Sequence, residues 1–106
     1  MAKAMTAEQF EESPGVGEWR AKDTVASATY RTNSFARGVE FIDAIGSLAD
    51  SANHHPDVDL RYSLVTVRLT THDVGALSEL DVALARRISQ AARDLGIVAD
   101  ENAIDT

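Results

Sequence analysis

All three histidines of this 106-residue chain lie between positions 54 and 72, as His54-His55-Pro56 and Thr70-Thr71-His72. Imidazole has an unperturbed pKa of about 6.5, so it both gives and takes protons near neutrality. Three of them, close in sequence and at the ends of predicted elements, read as a proton-transfer site. Solvated histidines clustered by chance are the plainer reading, and a zinc site of three imidazoles is another. Their neighbours separate these readings. Asp50-Ser51-Ala52-Asn53 precedes the pair, Tyr62 follows seven residues after His55, and Thr71-His72-Asp73 is followed by Leu77-Ser78-Glu79-Leu80-Asp81.

That order and spacing resemble the pterin-4a-carbinolamine dehydratases, a family that includes the dimerisation cofactor of a homeodomain transcription factor. The likeness runs from about Glu18 to Leu95, more weakly upstream through Trp19 and the segment bearing Phe35 and Phe41. It implies loss of water from a 4a-hydroxytetrahydropterin to give the quinonoid dihydropterin, with no metal and no redox cofactor. His54 and His72 would be the acid and base, and His55 would chiefly hold the pterin, with Asp50, Trp19 and Thr71 beside it. Pro56, Tyr62, Ser78 and Asp81 complete the motif as structural residues. From the residues alone, Asp81 reads as a helix cap in preference to a catalytic group, Tyr62 as packing, and Trp19 equally as core or pocket wall. Asn53 stands where better-known animal members carry an acid, and Leu80 where an Arg is common; both change the charge of the pocket. The resemblance leaves a second reading, a non-catalytic scaffold of the transcriptional-cofactor or Rubisco-assembly kind, and a third, dehydration of another pterin-like compound. The three intact histidines favour catalysis, in recycling pterin for an aromatic amino acid hydroxylase pathway.

The elements that must position these residues are legible in part. Residues 1–5 read as a loose end, 6–96 as one domain, and 97–106 as an acidic mobile tail. Thr6 with Gln9 makes a capping box for a short helix that Ser13-Pro14-Gly15 ends. Glu18–Ala21 and Val25–Thr32 read as strands of a hairpin. From Ser34 the spacing becomes helical. Phe35, Val39, Ile42, Ile45, Leu48 and Ala49 share a face, and the helix ends near Asn53 because Pro56 pushes His55 to extended geometry. Gly38 and Gly46 weaken it and would admit a close neighbour. Val58, Leu60 and Tyr62 have one parity and Val65, Val67 and Leu69 the other, so 58–71 holds two strands with a turn near Tyr62-Ser63. Ser78 opens a last helix, with Leu80, Leu84, Ile88 and Ala91 or Ala92 on its apolar face and Leu95-Gly96 as its stop. This order predicts an α+β two-layer sandwich, a four-stranded antiparallel sheet with helices packed on one face.

Composition narrows the partners. A net charge of −7 disfavours nucleic acid and anionic membranes, which need a basic footprint. The lack of cysteine removes disulfides and thiolate ligands. No apolar run approaches the ~20 residues of a membrane span, and no secretory core follows Met1-Ala2-Lys3. A cytoplasmic, soluble protein is expected.

A four-stranded sheet has free edges, and the candidate edge is Val58–Tyr62. The resemblance implies dimers through sheet edges and tetramers through helices. We therefore expect a homodimer or homotetramer, and light scattering that stays near the 11.4 kDa of one chain at every concentration would refute it.

Overall fold

The structure, a computed structural model, describes residues 2–102. In chain order it consists of α1 (Ala7–Glu12), β1 (Arg20–Lys22), β2 (Val25–Arg31), α2 (Phe35–Ala52), β3 (Asp57–Leu60), β4 (Leu64–Leu69), a 3₁₀ turn (His72–Val74), α3 (Glu79–Asp94) and β5 (Val98–Ala99). All strand pairs are antiparallel, in the order β1-β2-β4-β3. The sheet has five strands rather than four, because β5 pairs with Tyr30 and Arg31 beyond the stretch of β2 that β1 covers.

Both capping boxes form. Thr6 and Gln9 satisfy each other's backbone at α1, and Ser78 and Asp81 do so at α3. The parity break in 58–71 becomes the turn between β3 and β4, closed by Arg61 N–H donating to the Leu64 carbonyl at 2.8 Å. Tyr62 sits at this turn and is 74% exposed, so it lies outside the core instead of packing within it as expected.

Alternation puts Ala26, Ala28, Tyr30, Val65, Val67 and Leu69 on one sheet face, where they form a single core with α1, α2 and α3. The buried stripe of α2 is Gly38, Phe41, Ile45 and Ala49. Phe35 and Val39, expected on the buried face, are about half exposed. Gly38 decides the rotation. A Cβ there would stand 2.6 Å from Leu60 Cδ1 and 3.5 Å from Val65 Cγ2, so glycine lets α2 lie directly on β3 and β4. Gly46 has no such neighbour. Leu80, also expected inside, is exposed, because the stripe of α3 runs through Asp81, Leu84, Ala85, Ile88 and Ala92.

The two ends are tied down further than the sequence predicts. Met5 bridges to Leu77 through a 2.8 Å backbone bond. Leu95-Gly96 ends α3 with Ile97 N–H reaching back to the Ala92 carbonyl, which turns Ile97 into the core. Residues 98–99 then enter the sheet, and Asp100 pairs with Arg31 at 3.0 Å. The expected mobile tail is thus docked through Asp100; Met1 and residues 103–106 lie outside the described residues.

One polar chain crosses the core. The Trp19 indole donates to Ser89 Oγ at 3.0 Å, Ser89 bonds the Tyr30 hydroxyl at 2.9 Å, and Tyr30 donates to Glu18 Oε1 at 2.9 Å. Burial pushes the Tyr30 phenol well above its ordinary range. Its neutral form therefore belongs to the folded state, and the associated stability is complete below about pH 10 and is lost as pH rises above it. We expect unfolding free energy to fall above pH 10 with a Tyr30 contribution of up to ~1.4 kcal/mol per pH unit. Tyr30→Phe should remove that slope while costing about 1 kcal/mol at pH 8. Equal slopes for the two proteins in urea titrations would contradict this.

Candidate functional site

The segments that bear the histidines converge because the chain before β3 and the chain after β4 emerge at one end of the sheet. α2 finishes at Ala52, and Asn53 takes a left-handed conformation (φ 50°) that asparagine tolerates better than most side chains. His54 follows at once, its backbone N–H donating to the Ala49 carbonyl. Pro56 then starts the chain into β3. From the other side, β4 ends at Leu69, and Thr71 carries the chain into the 3₁₀ turn that begins at His72 and closes on Gly75 (φ 61°).

Consecutive side chains leave an extended backbone in opposite directions, and the two adjacent histidines do so here. His54 turns inward, with a side chain 11% exposed and Nε2 2.6 Å from Asp81 Oδ1. His55 turns outward, with Nε2 2.9 Å from Asp50 Oδ1, one helical turn back on α2 and on the surface. His72 is exposed.

Asp81 is fully buried in the first turn of α3. Its Oδ2 accepts from the Ser78 backbone N–H at 2.9 Å and from the Thr71 hydroxyl at 2.7 Å. Thr71 Oγ1 also lies 2.7 Å from Ser78 Oγ. His54, Asp81 and Thr71 are therefore one bonded chain, and His72 is the residue after Thr71. Through it, the end of α2, the start of α3 and the segment after β4 that leads into His72 are tied to one another.

Several expected site residues stand elsewhere. Trp19 is 1% exposed within the core, its N–H taken by Ser89, and presents no surface to a ligand. Thr71 is buried with its hydroxyl committed to Asp81, so it supports the site from behind. Asp81 is indeed the cap, yet its second oxygen holds His54, a contact that reading the residue as cap or catalyst missed. A signal was present: the capping box takes Glu or Gln at its third position, and a shorter Asp stands here. Among the described residues, no three His, Cys, Asp or Glu side chains are grouped to hold a metal ion. A cavity of about 630 Å³ lies away from the histidines, on the open face of the sheet between Arg20, Ser27, Thr29 and Glu101.

Comparison with known proteins finds relatives that match most of the chain. A protein of Sulfurisphaera tokodaii, provisionally named pterin-4-alpha-carbinolamine dehydratase, is 40% identical over 90 residues, covering 85% of this chain and 97% of its own. A protein of Chloroflexus aurantiacus with the same provisional name is 38% identical over 85% of this chain and 94% of its own. Among solved structures, a transcriptional coactivator/pterin dehydratase from Brucella melitensis superposes with a TM-score of 0.78 at 22% identity, covering 85% of this chain and 99% of that one. A pterin dehydratase-like protein identified as a RuBisCO assembly factor in the alpha-carboxysome gives 0.57 at 23% identity, covering 70% and 86%. These two likenesses show the fold.

The cap itself can be tested. Ser78→Ala removes the acceptor for Leu80 N–H and the partner of Thr71, and should cost about 0.5–2 kcal/mol in urea unfolding. An unchanged midpoint would show that the cap contributes nothing. The sequence model of the family described as Pterin 4 alpha carbinolamine dehydratase matches residues 2–91, and this chain belongs to that family.

Proposed function

We propose that this chain is a 4a-hydroxytetrahydrobiopterin dehydratase, a hydro-lyase that removes water from a pterin-4a-carbinolamine. The observation that carries the reading is the bonded unit of His54, Asp81 and Thr71, which ties the helix end that bears His54 to the strand end that leads into His72. Dehydration breaks the C4a–O bond and forms a double bond from C4a to the adjacent ring nitrogen. One imidazolium gives its proton to the departing hydroxyl, which leaves as water. The other imidazole takes the proton from the ring nitrogen, whose electrons supply the push. Protons balance over the cycle, and the chain's own groups suffice. His54 and His72 are the acid/base pair; His55, steadied by Asp50, holds the ring from the edge of the site. The protein then recycles a pterin cofactor in the cytoplasm for an aromatic amino acid hydroxylase pathway.

A binding role on the same scaffold is the competing reading. Phe35 and Val39 on α2 are exposed apolar side chains, and among the described residues β3 has a partner on only one side. These features suit self-association as a homodimer or homotetramer and suit a protein partner equally. Among the described residues no helix is long and apolar enough to cross a membrane.

Purified protein should accelerate 4a-carbinolamine breakdown followed by absorbance. His54→Ala and His72→Ala should each lower kcat by roughly 10²–10⁴-fold, whereas His55→Ala should raise KM and leave kcat within a few-fold. Variants with wild-type circular dichroism and undiminished turnover would refute the reading, and no acceleration by the wild-type chain would favour the scaffold.

A further inference from the structure

We infer that Asp81 is a positioning residue that fixes the tautomer of His54, so that Nδ1 is the ring nitrogen exchanging a proton with the ligand. The assignment of that proton transfer rests on the dehydratase reading above; the tautomer does not.

The hydrogen atoms can be placed one by one. Asp81 as a carboxylate only accepts, and Oδ2 already takes the Ser78 N–H and the Thr71 O–H. Since Thr71 gives its proton to Asp81, Ser78 Oγ must donate to Thr71 Oγ1, and Ser78 Oγ in turn accepts the Leu80 N–H. Every donor around the carboxylate is then committed, and Oδ1 is left to the proton on His54 Nε2 at 2.6 Å. No side-chain nitrogen or oxygen buried among the described residues lacks a partner. Among the described residues His54 Nδ1 makes no hydrogen bond, so it is not one of the fully buried atoms of a side chain that is 11% exposed.

The ring therefore has an anchored side and a working side. Neutral His54 offers the Nδ1 lone pair and can act as base; protonated, it offers Nδ1–H and can act as acid. In both states Nε2–H stays on Asp81, so the ring need not rotate. His72 has no such device. Its side chain makes no hydrogen bond among the described residues, which leaves both of its tautomers open.

Long-range proton–nitrogen NMR of histidine-labelled protein at pH 8.5 reads this directly. We expect His54 to show protonated Nε2 and bare Nδ1, with His72 averaging between tautomers. Asp81→Asn should lose the fixed pattern and lower kcat on the order of 10²–10⁴-fold with KM changed little. Should that variant not fold, Thr71→Val removes only the hydroxyl behind the carboxylate. Its expected loss is roughly 10–100-fold, by analogy with removal of a partner behind a metal-ligating histidine, and Thr71→Ser should recover most of it. A wild-type His54 with its proton on Nδ1 would overturn the assignment, as would a folded Asp81→Asn with unaltered kcat. A fixed Nε2–H in a chain that dehydrates no pterin would leave the tautomer standing and defeat the catalytic reading alone.

Discussion

The site depends on one buried carboxylate. Taking an anion out of water is costly unless its lone pairs are occupied, and Asp81 meets the condition with three donors from three parts of the chain. The Ser78 N–H comes from the N-terminus of its own helix, where the macrodipole also favours negative charge. The Thr71 hydroxyl comes from the end of β4 and the imidazole from just past the end of α2. Removing any one donor exposes the remainder to the cost of a partly satisfied buried charge. The same group that caps α3 thus pins the histidine to the sheet.

Such convergence requires that α2, α3 and the sheet meet at fixed depth. Gly38 sets the depth of α2, since its missing side chain lets the helix settle onto Leu60 and Val65. The register of β3 on β4 pairs Asp57 with Arg68, so the residues preceding β3 and following β4 emerge at the same end of the sheet. His54 lies three residues before that pair on one strand and Thr71 three residues after it on the other. The antiparallel pairing alone brings them near, and Asp81 joins them.

Local elements are more legible in the sequence than their packing. Histidine spacing, both capping boxes and the strand parity break each carry a local physical rule, and each rule operates within a few residues. The buried face of α2 is not legible from its period, because Phe35 and Val39 continue a helical apolar spacing that glycine interrupts; the period ranks hydrophobicity, whereas the sheet selects for close approach. The docking of residues 97–100 was missed because acidic residues mask a short Ile97-Val98 signal. That signal acquires meaning only when the upper half of β2 has no other partner on that side. Sequence position suggests one role each for Thr71 and Asp81, while a buried polar side chain must satisfy all its lone pairs and protons at once. Their second contacts are tertiary and have no sequence period.

The position of α3 shows why polar contacts decide what apolar ones leave open. Its buried apolar side chains are Val82, Leu84, Ala85, Ile88 and Ala92, whose burial is non-directional. Asp81 and Ser89 do not tolerate rotation about the helix axis. They lie eight residues apart, about 12 Å along the axis, and each is bonded to groups on other elements: Asp81 to His54 and Thr71, Ser89 to Trp19 and Tyr30. A turn of one residue, about 100°, would bring Leu80 inward and carry the carboxylate out of reach of Thr71, leaving the Ser89 chain broken as well. Leu80 is therefore exposed because the two polar clamps fix the rotation, not because the residue prefers water. The clamp at Ser89 thereby contributes to the placing of His54, although it touches nothing in the site.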